Sequence, residues 1–269
     1  MPHVGYRRPI LHTALAVLAA TALSACDVAI NSMGGGLASA SQVWTRTYTL
    51  AGSGTQVEIV NTSGAITVEA VDGNTLDIKA TIRMKGATEE AARDLLKQVE
   101  IVAEAGAAKV RIETKYPRSL GRQSPDVTYA IRVPKTAKVD LRAVNGTITV
   151  SGMQAGVHAE ISNGEIRGQN LAGPVSASTT NGGIHLQVSS VEGEGLTLET
   201  TNGSIDLKLP AQTKATLAAR CVNGRINVSN LPFEKDGEGS RRRLNGTING
   251  GGPEIRIDTI NGSIRVGRL

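Results

Sequence analysis

Any chemistry done by this chain has to be assembled from few parts. Beyond residue 25 the sequence holds two histidines, His158 and His185, and two cysteines, Cys26 and Cys221. A general base must stand within hydrogen-bond reach of the proton it moves. A zinc centre needs three or four His, Cys or carboxylate ligands at close spacing. The sequence shows no Cys-His cluster at zinc spacing, no phosphate-binding glycine loop and no nucleophile elbow. Acidic residues are scattered. Glu192 and Glu194 flank Gly193 in a turn-forming stretch, where solvated carboxylates are expected rather than an acid–base pair. The reading is therefore no catalytic residues, no metal and no cofactor.

Cys26 is the exception. Arg7 and Arg8 precede a mostly apolar run from Ile10 to Leu23, which ends in Leu23-Ser24-Ala25-Cys26. The run is short for a membrane span and has the layout of a signal peptide. Its last four residues resemble a bacterial lipobox. That resemblance implies cleavage before Cys26, lipid attachment to its thiol and anchoring at a membrane. Asp27 directly after the lipidated cysteine favours the periplasmic face of the inner membrane in a Gram-negative cell, and the cell surface is the alternative otherwise. Residues 26–42, with Gly34-Gly35-Gly36 and several Ala and Ser, read as a flexible tether.

What must position everything else is a repeat. Asn-Gly-x-Ile occurs seven times, beginning at Asn145, Asn163, Asn181, Asn202, Asn223, Asn245 and Asn261, with gaps of 18, 18, 21, 21, 22 and 16 residues. Counting from each Asn, position +3 is always Ile: Ile148, Ile166, Ile184, Ile205, Ile226, Ile248 and Ile264. Positions −6 and −4 are aliphatic in every copy but one, where they are Gly239 and Arg241. Position −3 is polar in most copies. Such period-two alternation marks half-buried strands. The even positions before the Asn point inward, the Asn-Gly step shifts the parity, and +3 and +5 point inward after it. A sharp corner that needs positive φ explains the glycine.

Two arrangements satisfy this pattern. Each Asn-Gly could be a hairpin turn in an antiparallel meander. Alternatively, each unit of about 20 residues is one coil of a parallel single-stranded β-solenoid (β-helix), with Ile on Ile and inward asparagines forming amide ladders. Hairpins do not require Ile at one offset seven times, so the solenoid is the fold expected. The scarcity of aromatic residues suits a thin core: Trp44, Tyr48, Tyr116, Tyr129 and Phe233 are the only ones after the leader. Cys221 at −2 falls in that core, so no internal disulfide is expected.

Residues 43–134 carry the same materials less regularly, around the corner-like Asn61-Thr62-Ser63-Gly64-Ala65-Ile66 and a short helix near residues 88–98 with Thr88 as its N-cap. Residues 135–269 form the regular repeats, and 43–269 reads as one continuous all-β domain. The lipoprotein-like start, the early strand–helix–strand passage and the serial Asn-Gly-x-Ile units together resemble the DUF4097 family, whose label is "putative adhesin". The resemblance covers roughly residues 45–269. It implies a β-solenoid at the bacterial surface or envelope and brings no reaction or catalytic residues.

Net charge is +5 and falls to +3 once Arg7 and Arg8 leave with the signal. That is mild for a nucleic-acid binder. Charge is concentrated late: residues 220–269 hold nine basic against five acidic residues, with Arg241, Arg242 and Arg243 in a row. These arginines are the candidate contact for an anionic envelope polymer. The function expected is a non-enzymatic, lipid-anchored protein presenting a solenoid surface to a polymer or protein partner. The alternatives are a self-assembling solenoid, given no evident cap after the last repeat, and a carbohydrate-active β-helix enzyme. The facing assignment is directly testable. Ile205→Asp puts an unpaired charge into the core and should lower the melting midpoint drastically, at a cost of several kcal/mol, whereas Glu199→Ala should leave circular-dichroism melting almost unchanged.

Overall fold

The repeat period becomes the rung of a stack in the computed structural model, which describes residues 29–31, 38–117, 120, 124–237 and 240–269. The leader, Cys26, Asp27 and Gly34–Gly36 lie outside the described residues. Strands β1 (Ala29–Asn31), β2 (Ala38–Thr49), β3 (Gln56–Ser63), β4 (Ile66–Val71) and β5 (Thr75–Gly86) lead to helix α1 (Glu89–Leu96). Strands β6 (Glu100–Ala105), β7 (Lys109–Lys115) and β8 (Asp126–Pro134) complete the irregular part. The repeats supply β9 (Lys138–Ser151), β10 (Val157–Leu171), β11 (Val175–Asn181), β12 (Ile184–Val188), β13 (Leu196–Asn202), β14 (Ile205–Leu209), β15 (Ala215–Asn223) and β16 (Ile226–Ser229). They are followed by β17 (Phe233–Lys235), β18 (Arg243–Ile248), β19 (Glu254–Asn261) and β20 (Ile264–Arg268).

Strands before a corner pair only with one another, and so do strands after it. The first face runs β6–β7–β3–β9–β10–β11–β13–β19–β15–β18–β17. The second runs β1–β2–β5–β8–β4–β9–β10–β12–β14–β20–β16. Strands β9 and β10 pass through their corners and belong to both. The interior strands are parallel, and like positions stand opposite each other: Asn145 pairs with Asn163, Asn163 with Asn181, and Asn181 with Asn202. Antiparallel strands close the first end of both sheets and the far end of the first sheet, while the second sheet ends on parallel β16, so the all-β, solenoid-like sheet is mixed rather than purely parallel as expected. The physical reason lies in the edges: a bare parallel edge is a template for aggregation, and hairpin strands close it with little added chain. The alternative of a hairpin turn at each Asn-Gly holds at no copy: the stacked copies are corners between parallel rungs, and Asn245-Gly246 lies inside β18.

The core is one row of side chains deep. Ile66, Ile148, Ile166, Ile184, Ile205 and Ile264 are all buried and follow one another rung by rung. Burying one isoleucine contributes about 1.5–3 kcal/mol. Ile226 ends the row and is half-buried. At the first end, α1 starts at the expected cap, with Ala91 N–H donating to Thr88 Oγ1 at 3.1 Å. It packs on β2 and β5 through Ala92 and Leu96. A buried polar knot anchors the first coil. Asn61 Nδ2 donates to the Val127 carbonyl at 2.8 Å, and Thr114 Oγ1 donates to Asn61 Oδ1 at 3.2 Å. Thr114 also meets the Tyr129 hydroxyl at 2.7 Å. Burial pushes that phenol up to about 12, against the hydrogen bond it shares with Thr114.

Four expectations are corrected. First, the coil of Asn261 does not come last. It sits between those of Asn202 and Asn223, so β20 is an interior strand, and Leu269 N–H donates to the Leu209 carbonyl at 2.9 Å. The uncapped last repeat is therefore absent. The far end is closed by the segment after β16, whose Arg241 and Arg242 carbonyls accept from Ile226 and Cys221 at 3.0 and 2.9 Å. Second, Asn245 is not in the Asn column. It lies on antiparallel β18 opposite Ala218, although Ile248 remains buried. Its unit has Gly239 and Arg241 where a coil needs aliphatic residues, so it cannot fill a rung. Third, residues 38–42, expected in the tether, open β2 on β5, with Ala40 buried.

Fourth, the corner glycines are needed less for φ than for space. The φ of Gly146 is 138° and that of Gly164 is 150°, but Gly203, Gly224 and Gly262 are not in the positive-φ region at all. A Cβ on any of them would overlap the carbonyl oxygen of the neighbouring rung's glycine, Gly64 through Gly262 in stacking order. Gly203→Ala should therefore destabilise by about 1–3 kcal/mol or more. Gly52→Ala, with open space around its Cβ, should stay within about 0.5 kcal/mol of wild type. Thermal melting of the two variants checks this.

Candidate functional site

The outward rows of the two sheets carry the polar chemistry. On the second sheet, alternation turns position +4 to solvent, and the register lines up Thr149, Arg167, His185, Asp206, Arg265 and Asn227 across successive rungs. Arg265 grips Asp206 through both carboxylate oxygens, Nε to Oδ1 and Nη2 to Oδ2, each at 2.8 Å. His185 Nδ1 lies 3.6 Å from Asp206 Oδ2. The hydrogen bonds from Arg265 hold the Asp206 carboxyl below the usual carboxylate range, against partial desolvation and with smaller help from the Arg265, His185 and Lys208 charges. Arg167 is paired in turn with Glu165 at 2.9 Å.

Small residues keep this face flat. A Cβ at Gly183 would press on the His185 ring, and one at Gly267 would crowd Lys208 Nζ. Two shallow grooves flank the Asp206–Arg265 pair. One, of about 500 Å³, is lined by Arg167, Gln169, His185, Gln187 and Lys208. The other, of about 510 Å³, is lined by Arg225, Asn227, Arg241, Ser263 and Arg265.

On the first sheet, position −5 faces out and sets Glu58, Asp140, His158 and Ser176 on adjacent strands. Asp, His and Ser in a row are the residue types of a hydrolytic triad, but they are not joined as one. The Asp140 carboxylate is taken by Arg142 at 3.1 and 3.2 Å and by Gln56 at 3.4 Å. Among the described residues no hydrogen bond links His158 to Asp140 or Ser176. Glu58 is buried, which by itself raises its pKa. Lys109 at 2.6 Å and Arg111 at 2.5 Å more than offset this and hold the carboxyl below its ordinary value.

The remaining sequence candidates fall as follows. The asparagines do form an amide ladder, but on the outside. Asn163 donates to Asn145 at 3.1 Å, Asn181 to Asn163 at 2.8 Å and Asn202 to Asn181 at 2.9 Å. The ladder continues out of sequence, Asn261 donating to Asn202 at 2.7 Å and Asn223 to Asn261 at 2.8 Å. The parity shift brings positions −1 and 0 both outward, which the inward-ladder reading missed. Cys221 is buried and free, and burial pushes its thiol up. Glu192 and Glu194 are exposed. Arg241, Arg242 and Arg243 are exposed but do not act as one patch. Arg243 stands opposite Arg220 on the first sheet, while Arg241 leans over the groove with Arg225 and Arg265 on the second. Among the described residues no group of His, Cys, Asp and Glu is arranged to hold a metal. The Asp206–Arg265 pair and the Arg225–Arg241 approach escaped the sequence reading because both depend on the last coil inserting out of order.

Residues 55–267 match the family model described as Toastrack DUF4097, and the chain belongs to that family. No curated protein matches it in sequence. Among solved structures it is similar to a "putative cell adhesion protein" from Clostridium sporogenes ATCC 15579, at 12% identity and a TM-score of 0.46, over 85% of this chain and 100% of that one. It is also similar to a "putative adhesin" from Bacteroides fragilis NCTC 9343, at 12% identity and a TM-score of 0.39, over 85% and 97%. A third is a "putative lipid binding protein" from Parabacteroides distasonis ATCC 8503, at 10% identity and a TM-score of 0.29, over 84% and 96%.

Asp206→Asn should cost about 0.5–1 kcal/mol at neutral pH, the pair being partly exposed. Because the folded carboxyl titrates below its unfolded value of about 3.9, the gap to wild type should be complete above about pH 4 and close as pH falls through the depressed folded value. Melting curves at a series of pH values read this out.

Proposed function

We propose that this member of the Toastrack DUF4097 family is an exported, non-enzymatic envelope protein, anchored through a lipid on Cys26, whose two-faced stack presents adhesin-like binding surfaces. The observation that carries the reading is the division of labour across each strand. Inward positions are committed to the aliphatic core, while the outward rows, apart from Val144, Val222 and Ile260 beside the corners, are mostly polar and repeat at the rung spacing. The charged groups that could do acid–base work are engaged with neighbours: Glu58 with Lys109 and Arg111, Asp140 with Arg142, Asp206 with Arg265. An elongated surface of this kind suits contact with an extended partner better than enclosure of a small substrate.

Anchoring supports the same reading. The Leu23-Ser24-Ala25-Cys26 sequence supplies an attachment point. By resemblance to bacterial lipoproteins, Asp27 favours the periplasmic face of the inner membrane in a Gram-negative host, with the cell surface the alternative otherwise. The full chain expressed in a bacterial host should incorporate labelled palmitate and sediment with membranes. Cys26→Ser should abolish labelling and move the protein out of the lipidated membrane fraction. Labelling that survives Cys26→Ser would remove the anchor from the proposal.

A further inference from the structure

We propose that the outer face of the second sheet is a binding track for a linear, carboxylate-bearing polysaccharide, centred on Arg225, Arg241 and Arg265. The proposal rests on the reading of the protein as an envelope surface binder and specifies its ligand. Three arginines line one groove of about 510 Å³ at the far end of the stack. Their states differ. Arg265 is held in place by Asp206, which also spends that carboxylate. Arg225 and Arg241 have no acidic partner among the described residues, so two arginine forks are left to bind an anion. Guanidinium matches carboxylate in planar, two-pronged fashion.

The groove is not isolated. On the other side of the Asp206–Arg265 pair lies the second groove, lined by Lys208, His185 and Arg167. From the rung of Arg167 to that of Arg225 there are four strand steps, β10 to β12, β14, β20 and β16, or about 19 Å at about 4.8 Å each. Beside the outward row of these strands the chain has small residues at Gly183, Ser204, Ser263 and Gly267, which leave a chain of sugars room to lie close to the sheet. A linear polymer fits this strip better than a lipid surface does. Of the four large apolar residues exposed among the described residues, Val144, Val222 and Ile260 lie on strands of the first sheet, and Leu269, just after β20, is the single one beside the second, where a bilayer would need several.

The test uses the full chain in non-ionic detergent, applied to immobilised polygalacturonate. Wild type should be retained and released by salt, as screening of charge contacts requires. Arg225→Glu/Arg241→Glu should weaken retention at least tenfold, with circular-dichroism melting showing that it is folded. Arg220→Glu/Arg243→Glu, the same charge change on the first sheet, should bind like wild type. Equal losses in the two variants, or no loss in the first, would overturn the track. So would displacement of wild type by dihexanoyl phosphatidylglycerol at lower concentration than by oligogalacturonate, an outcome that assigns the site to lipid headgroups. Each of these results leaves palmitate labelling at Cys26 untouched, so failure of the track and failure of the anchored reading are separately visible.

Discussion

Everything in the stack depends on how closely one corner may approach the next. At each Asn-Gly step the glycine lies against the carbonyl of its neighbour with no room for a methyl group. That approach sets the register, and the register then places isoleucine on isoleucine and amide on amide. The hydrophobic row supplies most of the favourable free energy, and it too opposes a slip of the pattern. Strands whose side chains repeat with period two lose their inner face on a one-residue slip. Here backbone contact at the corner excludes that slip before side chains are considered.

The same constraint explains how the ends are built. A parallel rung cannot be its own lid, since it leaves a row of unpaired backbone groups. At one end β2, β5 and β8 run antiparallel and α1 lies against β2 and β5. At the other, β18 reverses direction on β15, and two arginine carbonyls take up N–H groups of the final corner. The basic segment read as a contact patch is thus first a piece of end closure. Its charges serve solubility at that edge as well as any ligand.

Much of this was written in the residue pattern, and the exceptions are instructive. The aliphatic positions, the helix with its Thr88 cap and the buried Cys221 follow from alternation and capping, which are local. The degenerate repeat also declared itself: Gly239 and Arg241 cannot occupy core positions, and that unit left the stack. Three things were not legible. Spatial order could not be read, because the coils of Asn202, Asn223 and Asn261 are chemically interchangeable. The outward direction of the asparagines turned on the geometry of the corner itself. The Asp206–Arg265 clasp, 59 residues apart, required both. Local chemistry fixed what each residue does in a rung, and long-range topology decided which rungs meet.

The insertion of β19 and β20 between older neighbours has a consequence for how the molecule is made. A chain leaving the ribosome can add rungs one upon another as far as the coil of Asn202. The next coil, that of Asn223, has no seat on that surface, because the seat beneath it is filled by residues 254–268, which are synthesised later. It must wait, unpaired and carrying an apolar strand face, until the terminal segment arrives and the two settle together. Closing so long a loop is slow and entropically unfavourable. The distal part of the stack therefore assembles as a single late event.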